Sequence, residues 1–364
     1  MAAKTSSFVT EIPLVTTSKD LAVLAARLEA GRQLYNAVLS EGKIRLELIR
    51  NSELYQQAKA IYRTNKKERS TAFQKAREYY RFSDYDWQAF ANKTAIASFW
   101  IKSHLDANTI QKIATRAFKA IERLMFGKAK KVRFKQKGQF ASLEGKTNKQ
   151  GIRWTGNAVE WSGLKLKAII TNDPVILHGL NSKIKYVRLV RRILNQKTYW
   201  FAQLVCEGMP YQKPKNFIND GNVGIDLGVS TVAIVGDKET IWTPFAVELN
   251  SQQKEIRKLQ RKMDRQRRAG NPDNFNSNGT VKKGAKRWNK SNRYKKTAAK
   301  KREIERKQAA HRKSLHGKLV NQTLRLGKNL KTEKVSVRAW QKMFGKSIGF
   351  KSPSSFQSEL KRLR

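Results

Sequence analysis

The sequence predicts an α+β multidomain chain, and three observations carry that prediction. Hydrophobic spacing begins with the two-residue period of a strand, changes to a helical period, and returns to β-rich alternation by residue 152. A further domain opens near residue 220 on an apolar, glycine-punctuated stretch, NVGIDLGVSTVAIV. Two strongly basic helical segments follow it. A length of 364 residues is compatible with two or three domains at about 150 residues each.

The elements can be justified in chain order. SFVTEIPLVT, residues 7 to 16, is rich in β-branched side chains and is expected to be a strand. Thr17 and Ser18 can cap the helix that follows, whose Leu24, Leu28, Leu34 and Val38 recur at helical spacing. Helical signals continue to about residue 126. The clearest is LDANTIQKIATRAFKAIERLMF, where Ile110, Ile113, Ala117, Ile121 and Leu124 line one face and serve core packing. Arg116, Lys119 and Arg123 lie off that face, free to meet phosphate.

Gly127 ends the helices, and the basic stretch KAKKVRFKQKGQFASLEG begins at Lys128. Alternation predicts a strand with Val132 and Phe134 on one side and Lys131, Arg133 and Lys135 on the other; Lys137 extends the basic side, and Lys130 precedes the strand as a further cation. Such a strand can pack with one face and follow a phosphate backbone with the other, or can simply be a solvated edge. Residues 152 to 206 are β-rich, with turns expected at Gly156-Asn157 and Asn195-Gln196. MPYQKPKNFINDGN, with Pro210 and Pro214, is expected to be a linker. The helical block is therefore inserted between a first strand and a later β module.

Charge narrows the partner. Lys and Arg number 76 against 28 Asp and Glu, a formal net charge of +48. A compact chain with that imbalance repels itself unless a polyanion neutralises it, and nucleic acid is the polyanion expected. No run of about 18 apolar residues suggests a membrane span, and the polar segment after Lys4 is unlike a signal peptide. The single cysteine, Cys206, excludes an intrachain disulfide and a cysteine-built zinc cage, and fits a cytoplasmic setting. Residues 251 to 330 hold 26 Lys and Arg against 5 Asp and Glu. There Ile256, Leu259 and Met263 give one helix a thin seam, and Ile304, His311, Leu315 and Leu319 give a second, from about 285 to 325, another. Together they predict a basic helical hairpin that presents Arg257, Arg261, Arg265, Arg287, Lys290 and Arg293 to nucleic acid. Trp288 and Tyr294, set among these cations, can stack on bases or sugars or pack between the helices.

The apolar strand carries one acid. Val223, Ile225 and Leu227 face one way; Gly224, Asp226 and Gly228 face the other. The neighbours of Asp226 on its own side of the strand have no side chains, which leaves room for something large beside the carboxylate. Gly228 and Ser230 permit a turn, TVAIV returns as a second strand, and ETIWTPF follows Gly236-Asp237 as a third. A three-strand meander with an acid on its first strand is how an RNase H-like nuclease core begins. Phosphodiester cleavage there uses divalent metals held by carboxylates, with two ions about 3.5–4 Å apart. Mg²⁺ prefers oxygen ligands and keeps several waters, so few acids suffice. GIDLG also opens the actin-like ATPase fold, but the chain after Asp226 is too short for it and largely basic hairpin.

GIDLGVSTVAIV, the segments QKEIRKLQRKMDRQ and HRKSLHGKLV, and NLKTEKVSVRAWQKMFGKSI together resemble TnpB, the family of RNA-guided nucleases of bacterial insertion sequences related to type V CRISPR effectors. RLEAGRQLYNAVL, LDANTIQKIATRAFKAIERL and KKVRFKQKGQF resemble its upstream parts in the same order, so the resemblance spans nearly the whole chain. It implies a wedge β-barrel (residues 1–19 and 128–219) interrupted by a helical recognition lobe (20–127), then a RuvC-type nuclease domain (220–364). It implies a guide RNA derived from the end of the element, double-stranded target DNA with a short adjacent motif, Mg²⁺-dependent cutting, and a bacterial cytoplasmic location. Asp226 matches the first catalytic carboxylate and metal ligand of the family. Glu333, in LKTEKVS between Lys331 and Lys334, matches the second. The family then carries a zinc ribbon of paired Cys-x-x-Cys and a third catalytic Asp, and no Asp or Cys follows Glu333 here. Zinc is therefore expected only in a region beyond Arg364, and a form without the third acid is expected to cut poorly. That leaves a second expectation, a guide-directed DNA-binding protein acting as repressor or transposition regulator, and a third, a general RNA-binding protein.

Overall fold

The computed structural model describes residues 5–284, 286–333, 335–345 and 347–363. Lys4, Lys334 and the expected helix start at Ala285 lie outside the described residues. The chain divides into two units, Met1–Tyr211 and Gln212–Arg364.

In the first unit, strand β1 (Ser7–Leu14) is followed by six helices: α1 (Ser18–Asn51), α2 (Glu53–Ala60), α3 (Lys66–Tyr79), α4 (Asp84–Ala97), α5 (Phe99–His104) and α6 (Ala107–Met125). Thr17 caps α1 as expected: its hydroxyl accepts from the Asp20 N–H while the Asp20 carboxylate accepts from the Thr17 N–H. Leu24, Leu28, Leu34 and Val38 are all buried, as are Ile110, Ile113, Ala117 and Ile121 of α6. Helices α1 and α4 touch at Gly42, where an added Cβ would come within 1.8 Å of the Trp87 ring. Trp87 is fully buried and meets Phe82 and Phe118 edge-on. Truncating such a side chain costs about 3–5 kcal/mol.

After the helices come β2 (Ser142–Glu144), β3 (Arg153–Trp154), β4 (Ala158–Trp161), β5 (Leu164–Lys167), α7 (Pro174–Leu180), β6 (Ile184–Leu194) and β7 (Lys197–Glu207). The order β1-β7-β6-β2 makes one sheet and β3-β4-β5 another. The expected turns are present: Asn195 and Gln196 both have positive φ between β6 and β7, and Gly156 has φ 91° between β3 and β4. The end of β1 bridges to the end of β5 through Leu14 and Ala168. The opposite ends, β2 and β3, are not paired, so the two sheets form an open arrangement and the expected closed barrel is corrected. Strands of two to four residues there are too short to bring the far edges into one ladder.

The expected strand at 131–137 is also corrected, because these residues run as irregular extended backbone. Both backbone groups of Lys135 are taken by side chains of α1: the Asn36 amide accepts from its N–H, and Asn36 and Arg32 donate to its carbonyl. A segment satisfied in this way needs no strand partner. Val132 packs on the core, but Phe134 stays 46% exposed, with the Lys43 ammonium over its ring. Cys206 is free and buried, and burial pushes its thiol up.

In the second unit, β8 (Asn222–Leu227), β9 (Thr231–Gly236) and β10 (Thr240–Pro244) form an antiparallel meander. Helices α8 (Gln253–Ala269) and α9 (Asn292–Leu326) follow, then β11 (Asn329–Thr332), α10 (Val337–Phe344), α11 (Ser347–Lys351) and α12 (Pro353–Leu363). The sheet order is β10-β9-β8-β11, with β11 parallel to β8. A parallel neighbour needs a long crossover, and α8 and α9 supply it. One sheet face packs on Leu319, Val320 and Leu324 of α9 and on Phe356 and Leu360 of α12. The seam of α9 differs from the expected one. His316 is buried, stacked on Phe245 with Nε2 against the Lys351 carbonyl, while His311 is exposed. Burial lowers the His316 pKa, so the ring sits neutral in the core.

Candidate carboxylate site and nucleic-acid interface

Strand β8 alternates as its sequence demands. Val223, Ile225 and Leu227 are buried, and Asn222, Gly224 and Asp226 are exposed on the other face. The loop that follows is tightly held. The Gly228 N–H donates to the Thr231 carbonyl at 3.0 Å, and the Phe245 N–H to Ser230 at 2.7 Å. Lys351 at the end of α11 is buried, and its ammonium donates to the Val229 carbonyl at 3.1 Å. Burial lowers its pKa. Asp226 thus lies on a rigid strand with a pinned loop directly after it.

The parallel register of β11 is the central geometric fact. Asn329 pairs with Asn222, Leu330 with Val223, Lys331 with Gly224 and Thr332 with Ile225. One step further on the two chains lie Glu333 and Asp226. Leu330 and Thr332 are half-buried, while Asn329, Lys331 and Glu333 are exposed, so Glu333 shares the outer face with Asp226. The paired register ends at Thr332 and Ile225, and Glu333 follows Thr332 as Asp226 follows Ile225. Among the described residues neither carboxylate has a hydrogen-bonding or ionic partner. The Glu333 backbone carbonyl accepts from the Gln357 amide. Among the described residues there is no cluster of three or more His, Cys, Asp or Glu that could hold a metal. Two carboxylates with hard oxygen donors fit a Mg²⁺ ion that keeps most of its waters.

On this sheet there is room at Gly224, two residues before Asp226. A cleft of about 550 Å³ opens over Gly224, bounded by Val235, Asn329 and Lys331. Pairing extends the outer face across the sheet: Asp226 lies opposite Ala233, and Ala233 opposite Trp242. Trp242 was not singled out from the sequence. Its level on the third strand depends on the lengths of two turns, which residue patterns do not fix.

The cations nominated from the sequence fall into two groups. Arg257, Arg261 and Arg265 on α8 are exposed, as are Arg287, Lys290 and Arg293 near the start of α9. The aromatics among them are engaged within the hairpin. Trp288 meets Phe275 edge-on and lies under the Arg267 guanidinium; Tyr294 lines a small cavity with Met263 and Arg267. Trp288 thus packs within the hairpin, the second of the two roles open to it. In the first unit Lys119, Arg123, Lys130, Lys131, Arg133 and Lys137 are exposed, and Lys135 is half-buried. Arg116 is exposed and engaged. Its guanidinium sits over Phe140 and donates to Ser142, and burial lowers its pKa. It lines a cleft of about 590 Å³ with Lys112, Lys119 and Arg188. Glu144 in this cleft accepts from Lys112 at 2.9 Å and Arg188 at 2.7 Å. Burial would raise the Glu144 carboxyl, but these two cations hold it below its ordinary value.

No family model matches the chain, and no curated protein matches it. Among solved structures it is similar to a Cas12f1–sgRNA–target DNA complex, at TM-score 0.47 and 10% identity over 98% of this chain and 87% of that one. It is similar at TM-score 0.31 and 12% identity to a CRISPR-Cas12f ternary complex, covering 88% of this chain and 64% of that one. Both overlaps are too loose to establish a common fold, so the functional reading rests on the residues themselves.

Proposed function

We propose that the chain is an RNA-guided DNA endonuclease of the TnpB type, with Asp226 and Glu333 as its catalytic, metal-binding acids. One observation supports the reading: β11 pairs in parallel with β8 up to Thr332 and Ile225, the residues immediately before Glu333 and Asp226. The strand order, three antiparallel strands with a fourth parallel to the first, is that of an RNase H-like core. A bound Mg²⁺ would supply a water of lowered pKa and neutralise charge at the phosphate. The chain supplies the rest. Asp226 and Glu333 hold oxygens on a rigid face, Gly224 leaves room for the sugar–phosphate, and Lys331 offers a cation next to it. The basic hairpin and the exposed lysines of residues 128–137 neutralise the guide and heteroduplex backbones, while base pairing supplies sequence choice.

The test is to express the chain with the DNA flanking its gene, recover the co-purifying RNA, and add complementary duplex and Mg²⁺. Guided cutting that Asp226→Ala and Glu333→Gln abolish without loss of binding supports the reading. Cutting that survives both substitutions overturns it. A second reading keeps the guided binding without the chemistry. On that reading the chain binds guided targets without cutting them, as a repressor or transposition regulator. Guided binding with no cutting at any Mg²⁺ concentration would select it, and binding blind to guide sequence would exclude both.

A further inference from the structure

We propose that Trp242 is a stacking platform for an unpaired nucleobase of the strand held at Asp226. The inference rests on the reading of Asp226 above. Of the eight tryptophans only Trp100 and Trp242 are exposed, at 37% and 72%. Among the described residues Trp242 has no ring, cation or hydrogen-bonding partner. It stands on β10, the sheet edge away from β11, on the face that carries Asp226. The pairs Asp226–Ala233 and Ala233–Trp242 put the three residues in one row, with a single methyl group between acid and indole.

Two cross-strand steps of about 5 Å each place the Trp242 backbone roughly 10 Å from that of Asp226. Phosphates of one duplex strand succeed one another at about 3.4 Å of rise, so 10 Å is about three nucleotides, and fewer when the strand is extended. A base within a duplex has both faces covered by its neighbours. Only an unpaired base can offer one to the indole, and such stacking tolerates any base. The occupant is therefore a single strand, and the net charge of +48 on the chain fits its charge.

The experiment uses the full chain at high salt, where phosphate contacts are weakened. Wild type, Trp242→Ala, Trp242→Phe and Asp226→Ala are titrated with labelled oligo-dT and cross-linked to an iodouracil-substituted strand. Trp242→Ala is expected to raise the Kd by about 5- to 150-fold, the range that stacking on one base contributes, and Trp242→Phe to recover most of it. The cross-link should map to the 240–244 peptide in both wild type and Asp226→Ala. Because Trp242 is exposed, the melting temperature should not move. Wild-type affinity in Trp242→Ala, or a cross-link elsewhere, overturns the proposal even where guided cutting is intact. If no preparation cuts but the cross-link still maps to Trp242, the platform stands and the nuclease reading falls.

Discussion

Two acids in this cationic chain occupy opposite situations. Glu144, in the cleft of the first unit, is half-buried and clamped by Lys112 and Arg188. Asp226, on the open face of the second, has no partner among the described residues and glycines on either side. With 76 basic residues available, an acid that has found cations is part of the folded architecture. An acid kept apart from them, on a strand whose other face is a core, keeps its oxygens available for something the chain does not contain. The difference predicts which substitution harms function and which harms stability.

The largest effect tests the free acid. Asp226→Ala should drop guided cleavage to background while its unfolding free energy stays within about 0.5 kcal/mol of wild type, read by urea denaturation. A large loss of stability would place Asp226 with Glu144 and dissolve the contrast. Next, replacing Arg257, Arg261 and Arg265 together by alanine should weaken duplex binding. The slope of log K against log salt should flatten by up to about 2.7, at about 0.9 per lost phosphate contact. An unchanged slope would remove α8 from the interface.

The clamped acid comes third. Glu144→Gln should cost the first unit about 1–3 kcal/mol by leaving two cations incompletely paired, and should leave cutting at Asp226 unchanged. Its pH dependence follows from the lowered carboxyl. The stabilisation is present above the ordinary glutamate pKa and is lost as pH falls through the lower folded value, so wild type and variant should converge in acid. Curves that stay parallel would show that Glu144 is not held as its geometry indicates. The smallest effect belongs to Lys331→Ala, expected to flatten the salt slope by about 0.9 or less with no change in melting temperature.

Legibility from the sequence followed the strength of local pattern. The inward and outward faces of β8 were readable because an apolar residue recurs at every second position beside glycines. So were the capping box at Thr17 and the turn at Asn195-Gln196, which are short-range devices. Glu333 was another matter. NLKT carries almost no strand signal, and the acid was found through resemblance; the pairing with β8 of the strand before it joins segments far apart in the sequence. Residues 131–137 misled because their alternation was one of charge, and charge alternation does not create a hydrogen-bonding partner. The sequence left Trp288 and Tyr294 open to stacking on bases or packing in the hairpin, and Trp288 meets Phe275 and Arg267 there. His316 replaced His311 because a seam with few apolar residues leaves the helical phase poorly determined.

The parallel pairing of β11 with β8 has one more consequence. Paired residues in this ladder are 107 positions apart along the chain, and the entire basic hairpin lies in the loop they close. A nascent polypeptide that has emerged only as far as α9 already carries Asp226 and the basic hairpin, but lacks Glu333. On the nuclease reading, a half-made chain can cling to a transcript without endangering the chromosome.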